Sequence, residues 1–241
     1  WKKVALLNID GFLDFHPSCI AGGLSEIGID TVVKIISMPE LERLRNNPTE
    51  MRSTNIAKTL TGDLINVMAA RINEYAKDVD AVFMPAVVGL DGCSEVVRLK
   101  EYVDRPLHFI STLPPSVPGI RLQLMLKRYF QKLGGTYMLG DSVTGGEFEE
   151  GRLKAITTRN HGDFKFEADN FILATGSLFS KGLVSDMDGV REPVFGLDVD
   201  FLSGRSKWYE KNMFDAQPYM SFGVSVGDNF NVFRNGIRVD N

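Results

Sequence analysis

Apolar and polar positions along this chain recur with two periods, and the switches between them predict most of its elements. Lys3 to Ile9 is an apolar run of strand length, and Asp30 to Ser37 is a β-branched one. Between them, Pro17 to Ile27 reads as a short helix closed by Gly28. Strand, helix, strand at this spacing predicts a parallel βαβ unit. Pro39 to Leu44 reads as a helical turn. Asn47-Pro-Thr-Glu50 reads as a helix start, with Asn47 as N-cap, Pro48 at the first position and Glu50 reaching back. Leu64, Met68, Ile72 and Tyr75 fall on one face of a further helix. Asp80 to Val88 is a third strand. A helix capped by Ser94 turns Val96, Leu99 and Val103 inward, and Pro106 to Ser111 is a fourth strand. Residues 1–112 therefore read as an α/β layer domain.

Leu113-Pro-Pro-Ser-Val-Pro118 interrupts this pattern. Its prolines forbid helix and make a stiff, extended joint, so a domain crossing is expected there. Ile120 to Leu133 is an amphipathic helix stopped by Gly134-Gly135. Thr136 to Val143 reads as a strand. Arg152 to Arg159 and Asp163 to Glu167 alternate around a hairpin turn at Asn160-His-Gly162. Phe171 to Ala174 is a short apolar strand running into Thr175-Gly176-Ser177. Helix, strand, ribbon, strand and a glycine turn is the order met in the middle of two-dinucleotide-binding flavin folds. Backbone without a Cβ at Gly176 allows close approach of a cofactor, so Thr175, Gly176 and Ser177 are the candidate cofactor contacts. Residues 113–199 read as a portion of a flavin-binding domain, and 200–241 as a loop-rich return segment with Trp208, Tyr209, Phe214, Tyr219 and Phe222.

Composition narrows the function. The chain has 241 residues, 44% apolar and 24% charged, enough for a full core, and its net charge of −4 gives no electrostatic case for nucleic acid. Cys19 and Cys93 are the only cysteines and have no metal-ligand spacing. No apolar run is long enough to cross a bilayer. Asn8-Ile-Asp10 lacks the first aspartate that a dehalogenase-type phosphatase would use as nucleophile. Neither Gly-x-Gly-x-x-Gly nor a Walker pattern occurs. The chain opens at Trp1 directly into a strand, which reads as an internal segment of a longer protein. His161 is the most tempting general base, but its place in a hairpin turn favours an exposed loop residue. His16 and His108 have no partner pattern nearby, and no residue stands out as a proton acceptor. Arg45 and Arg52 bracket the helix start at Asn47, Arg121 opens the helix after the prolines, and Arg191 follows the glycine turn. Such arginines suit a phosphate or carboxylate, or else pair with Glu40, Glu42 and Glu50 on a solvated surface.

Four segments taken together carry a resemblance over nearly the whole chain. They are Leu44-Arg-Asn-Asn-Pro-Thr-Glu-Met-Arg-Ser-Thr-Asn-Ile-Ala57, Thr112-Leu-Pro-Pro-Ser-Val-Pro-Gly-Ile-Arg-Leu-Gln123, Thr158-Arg-Asn-His161, and Leu173-Ala-Thr-Gly-Ser177 with Gly189-Val-Arg-Glu-Pro-Val-Phe-Gly-Leu-Asp198. In content and order the chain resembles the B subunits of anaerobic glycerol-3-phosphate dehydrogenases. The resemblance implies a two-dinucleotide-binding flavoprotein fragment with an α/β capping domain, and FMN or FAD as cofactor. It implies a catalytic A subunit and an iron–sulfur, membrane-anchoring C subunit as partners. The implied reaction oxidises sn-glycerol 3-phosphate to dihydroxyacetone phosphate and passes electrons to the quinone pool. The implied location is cytoplasmic, peripheral at the inner face of the membrane through the partner subunits. Arg45, Asn47, Arg52, Arg121 and Arg191 are then the candidate substrate contacts. A non-catalytic partner-binding or electron-relay role is the alternative. The family's Gly-rich segments at either end are missing from this sequence, so the 241-residue chain by itself is expected to fold but to hold flavin loosely.

Overall fold

The computed structural model describes residues 1–47 and 49–239. They form two compact units, Trp1–Tyr137 and Met138–Asn241.

The first unit is an α/β layer, as the pattern predicts. Its strands β1 (Lys3–Ile9), β2 (Asp30–Ile36), β3 (Ala81–Pro85) and β4 (Leu107–Ile110) pair in parallel in the order β2-β1-β3-β4. The helices are α1 (Pro17–Glu26), the short α2 (Glu42–Arg45), α3 (Ser53–Thr59), α4 (Leu64–Tyr75), α5 (Ser94–Tyr102) and α6 (Val117–Lys132). Ala5, Leu7 and Ile9 of β1 and Val82 and Met84 of β3 meet Ile65, Met68, Ala69 and Ile72 of α4 and Leu99 of α5 in one core. The buried stripe of α4 is turned slightly from the expected one: Ile65 takes the place of Leu64. The carboxylate of Asp80 accepts the N–H groups of Lys2 (2.6 Å) and Lys3 (3.0 Å), fastening the start of β1 to that of β3. Those two donors hold the Asp80 carboxyl below its usual range.

Two local expectations need correction here. No helix starts at Asn47. Its side chain instead closes a turn, accepting from the Thr49 hydroxyl (2.8 Å) and donating to Glu50 (3.0 Å). Pro48, expected at the first helical position, lies outside the described residues. The helix begins at Ser53, after an extended Arg52 at the cap, because the Asn55 side chain and the Arg52 N–H both donate to the Glu50 carbonyl and hold that stretch as a loop. The second concerns α6. It starts at Val117, three residues before Ile120, capped by the Ser116 hydroxyl, which accepts from Gly119 N–H (3.3 Å). It groups with the first unit, where Ser53 donates to the Pro115 carbonyl (3.1 Å) and Arg128 to that of Asp91 (2.7 Å). The compact units therefore divide at 137/138, downstream of the proline joint. Only Val117 of α6 is buried; Leu122, Leu126, Tyr129 and Leu133 along it are exposed.

The second unit is built on a three-stranded antiparallel sheet, β5 (Val143–Glu149), β6 (Arg152–Thr158) and β7 (Lys165–Glu167). The hairpin turn at Asn160–Gly162 stands where the alternation put it. Short two-stranded ladders follow: β8 (Val184–Ser185) with β9 (Val190–Arg191), β10 (Val199–Asp200) with β11 (Gly223–Val224), and β12 (Phe233–Arg234) with β13 (Ile237–Arg238). The run of loops in 200–241 is thus stitched by short pairings, with Leu183, Val190 and Phe222 as a small core against Trp208. Two expected strands are absent. Thr136 to Ser142 forms none, since Asp141 takes the N–H groups of Ser142 (2.7 Å) and Asn160 (3.0 Å) in place of a ladder. Phe171 to Ala174 belongs to no strand among the described residues, and Ile172 is 92% exposed.

Candidate functional site

A cavity of about 960 Å³ among the described residues lies wholly in the second unit. One wall is Phe171 to Gly176. A second is the β5–β6 hairpin, through Val143, Phe148, Leu153 and Ile156. A third is the Val194–Phe195–Leu197 turn, and Asn229 to Val232 completes it. The hairpin can carry this wall because Gly146 of β5 leaves room: a Cβ there would stand 2.7 Å from the Phe195 ring and 2.6 Å from Leu153. Phe195 meets Phe148 edge-on, with centroids 6.1 Å apart, and the Arg234 guanidinium lies 5.0 Å over the Phe148 ring.

Two of the three expected cofactor contacts, Thr175 and Gly176, line this cavity; Ser177 does not. Gly176 has φ +80°, a left-handed backbone that favours glycine. A Cβ there would fall on the Ser180 hydroxyl. That hydroxyl donates to the Thr175 carbonyl (2.7 Å) and accepts from Ser177 N–H (3.0 Å). The glycine is therefore demanded by the turn itself, in addition to any cofactor.

Sequence reading missed the residue that shapes the third wall. Glu192, 2% exposed, accepts the N–H groups of Val194 (2.8 Å), Phe195 (2.7 Å) and Leu197 (3.4 Å). The only signal for it was a carboxylate immediately before Pro193 inside an apolar, glycine-containing run. Asp198 acts in the same way at the β12–β13 turn, taking Asn235 N–H (2.9 Å) and Gly236 N–H (2.7 Å).

His161 is a structural staple in the ribbon turn and not a lining residue. Its Nδ1 meets Asp141 Oδ2 at 2.7 Å and the Thr158 hydroxyl at 2.9 Å. The Thr158 hydroxyl, with the N–H groups of Ser142, His161 and Asn160, holds the Asp141 carboxyl far below the usual carboxylate range against its burial.

The arginines have other partners. Arg45 reaches Asp10 at 2.6 Å and Glu42 at 3.3 Å. Arg121 donates to the carbonyls of Val88 (3.1 Å) and Gly89 (2.6 Å). Arg52 stands 3.6 Å from Asp14, with 60% of its side chain exposed. All three therefore touch loops that follow β1 or β3, at the carboxyl edge of a parallel sheet whose strand order reverses between those strands. Such an edge is where open α/β sheets receive ligands. Asn47 closes the turn described above. Arg191, in the second unit, pairs with Asp186 at 3.1 Å. No group of His, Cys, Asp and Glu suited to a metal ion occurs among the described residues.

Among the described residues the cavity's lining holds no charged side chain and offers Thr175, Asn229 and Asn231 as polar groups. Its size and apolar walls fit a large flat ring system. The whole chain, residues 1–241, matches the family model described as FAD binding domain. The chain belongs to that family, which selects FAD from the two flavins expected. Among curated proteins it is 38% identical over 242 residues to the anaerobic glycerol-3-phosphate dehydrogenase B subunit of Yersinia enterocolitica, covering 100% of this chain and 57% of the relative. The B subunit of Pectobacterium carotovorum is 41% identical over 226 residues, 92% of this chain and 53% of the relative. That of Vibrio cholerae is 35% identical over 249 residues, 100% and 57% respectively. The chain thus spans little more than half the length of these relatives. No solved structure matches it.

Proposed function

We propose that this chain is a portion of the B subunit of an anaerobic glycerol-3-phosphate dehydrogenase, which oxidises sn-glycerol 3-phosphate to dihydroxyacetone phosphate. The observation that carries the reading is the 38% identity to such subunits over the full chain. Bound FAD would supply the hydride-accepting ring for oxidation at C2 of the alcohol. The residues here seat its apolar ring portion: Phe171 to Gly176, Phe148 and Phe195 form the walls and exclude water. On this reading electrons pass onward to quinone through partner subunits, a catalytic A and a membrane-attached iron–sulfur C, and the protein is cytoplasmic and peripheral to the membrane through them. Among the described residues the cavity lining offers no acid or base, which supports a second reading, in which this subunit relays electrons and a partner does the chemistry.

The substrate's phosphate is assigned to the carboxyl edge of the first unit's sheet. Arg52 is the contact chosen there, since Arg45 and Arg121 are held closely by Asp10 and by two carbonyls. In the full-length B subunit without its partners, bound flavin should bleach anaerobically on adding glycerol 3-phosphate. In the assembled enzyme, Arg52→Ala should raise KM by a few-fold to about 100-fold, as losing a charge-assisted bond of roughly 1–3 kcal/mol would, with flavin content unchanged. A flavin that stays oxidised under substrate, but is reduced once the A subunit is added, selects the relay reading. An unchanged KM removes Arg52 from the site.

A further inference from the structure

We propose that Glu192 is the positioning residue of the flavin seat: its buried carboxylate fixes the Val194–Leu197 turn so that the Phe195 ring stands where a flat cofactor ring packs. The inference rests on reading the cavity as the seat of FAD and concerns a residue outside its lining.

Three observations converge. Val194, Phe195 and Leu197 each line the cavity, and the same three residues each give a backbone N–H to one carboxylate. Both oxygens of Glu192 are engaged, and the group is 2% exposed. A buried carboxylate is costly unless its oxygens are met by donors, so the side chain and the turn hold each other in one geometry. The Phe195 ring, in turn, has a slot cut for it. Gly146 leaves the space its edge occupies, and Phe148 closes the side at 6.1 Å. Turn and slot are specified separately, from two well-separated stretches of chain, yet they place one ring. A turn that only had to connect β9 to β10 would need neither.

Chemistry sets how the seat should fail. Glu192→Gln keeps the volume but turns an amide N–H₂ toward one of the three N–H groups, donor against donor. That frees the turn and lets Phe195 leave its slot. Gly146→Ala moves the ring by the other route, with Glu192 intact. Phe222→Leu serves as the control, since Phe222 belongs to the second unit's small core and is not among the lining residues.

The test uses the full-length protein, stripped of flavin and titrated with FAD, with melting temperature followed beside affinity and the visible circular dichroism of the bound flavin, which reports how the ring is held. Wild-type protein should bind FAD with a clear visible band. Glu192→Gln and Gly146→Ala should each raise the Kd for FAD about tenfold or more, the factor expected for one well-made buried hydrogen bond or ring contact, and should weaken or reshape that band. Phe222→Leu should lower melting temperature with Kd and band near wild type. If Glu192→Gln loses melting temperature as the control does and keeps wild-type Kd and band, the positioning role is overturned while the flavin seat stands. Wild-type protein that binds no FAD overturns the seat and the inference together. Should Glu192→Gln not fold, Gly146→Ala decides: wild-type Kd and band there exclude Phe195 from the seat.

Discussion

At the scale of single residues, carboxylates do much of the shaping in this chain, and they do it by gathering backbone N–H groups. Asp80, Asp141, Glu192 and Asp198 each take at least two. None of these pairings was legible in the sequence, because the donors are backbone groups that every residue but proline carries. The same blindness explains the arginines: their charge is visible in the sequence, while the carbonyls that occupy Arg121 are not. Asp141 has a pH signature. Its carboxyl is depressed in the folded protein, so its contribution is present above the ordinary carboxylate value of about 3.9 and is lost as pH falls below it. Asp80 and Asp186 are depressed in the same sense. Asp141→Asn should therefore be less stable than wild type at pH 7, and its melting temperature should fall less steeply between about pH 5 and 3. Equal slopes in thermal melts across that range would remove Asp141 from the acid response.

At the scale of elements, the hydrophobic period found β1 and β2 almost to the residue, together with α4 and the β6–β7 ribbon, because each of these is long or flanked by clear turn chemistry. It failed at Asn47, where capping residues served a turn whose partners lie at Thr49 and Glu50. It failed at Phe171 to Ala174 for a different reason. Apolar residues at strand spacing state a capacity for pairing, and a strand also needs a neighbour in register, which the ladders of the described residues do not extend to this stretch. A simple check is open there. Ile172 is 92% exposed, so Ile172→Ser should change the stability of this chain by no more than a surface substitution does, about 0.5 kcal/mol. A loss of several times that size, measured by calorimetry, would mean that Ile172 is covered in solution. The cavity was half legible: Thr175 and Gly176 were found through the glycine turn, whereas the facing wall depends on Gly146 and Phe195 meeting across the fold.

At the scale of the whole molecule, the chain divides after α6, at 137/138, in a run from Leu133 to Gly140 that is largely exposed. The three prolines drew attention to 113–118 as a joint. That stretch is instead held to the first unit through Ser53 and Val117. Limited proteolysis should cut first between Leu133 and Gly140 and leave two resistant pieces. Early cleavage at 113–118 would contradict the packing of α6 with the first unit. The Phe171 to Ala174 segment has a last consequence, in the colloidal behaviour of the chain. Its Ile172 is 92% exposed, and an apolar side chain so exposed is one on which a second copy can pack. A net charge of only −4 over 241 residues provides little mutual repulsion to prevent it. A stretch that marks this chain as a flavoprotein thus also carries an apolar side chain through which separate copies could stick together.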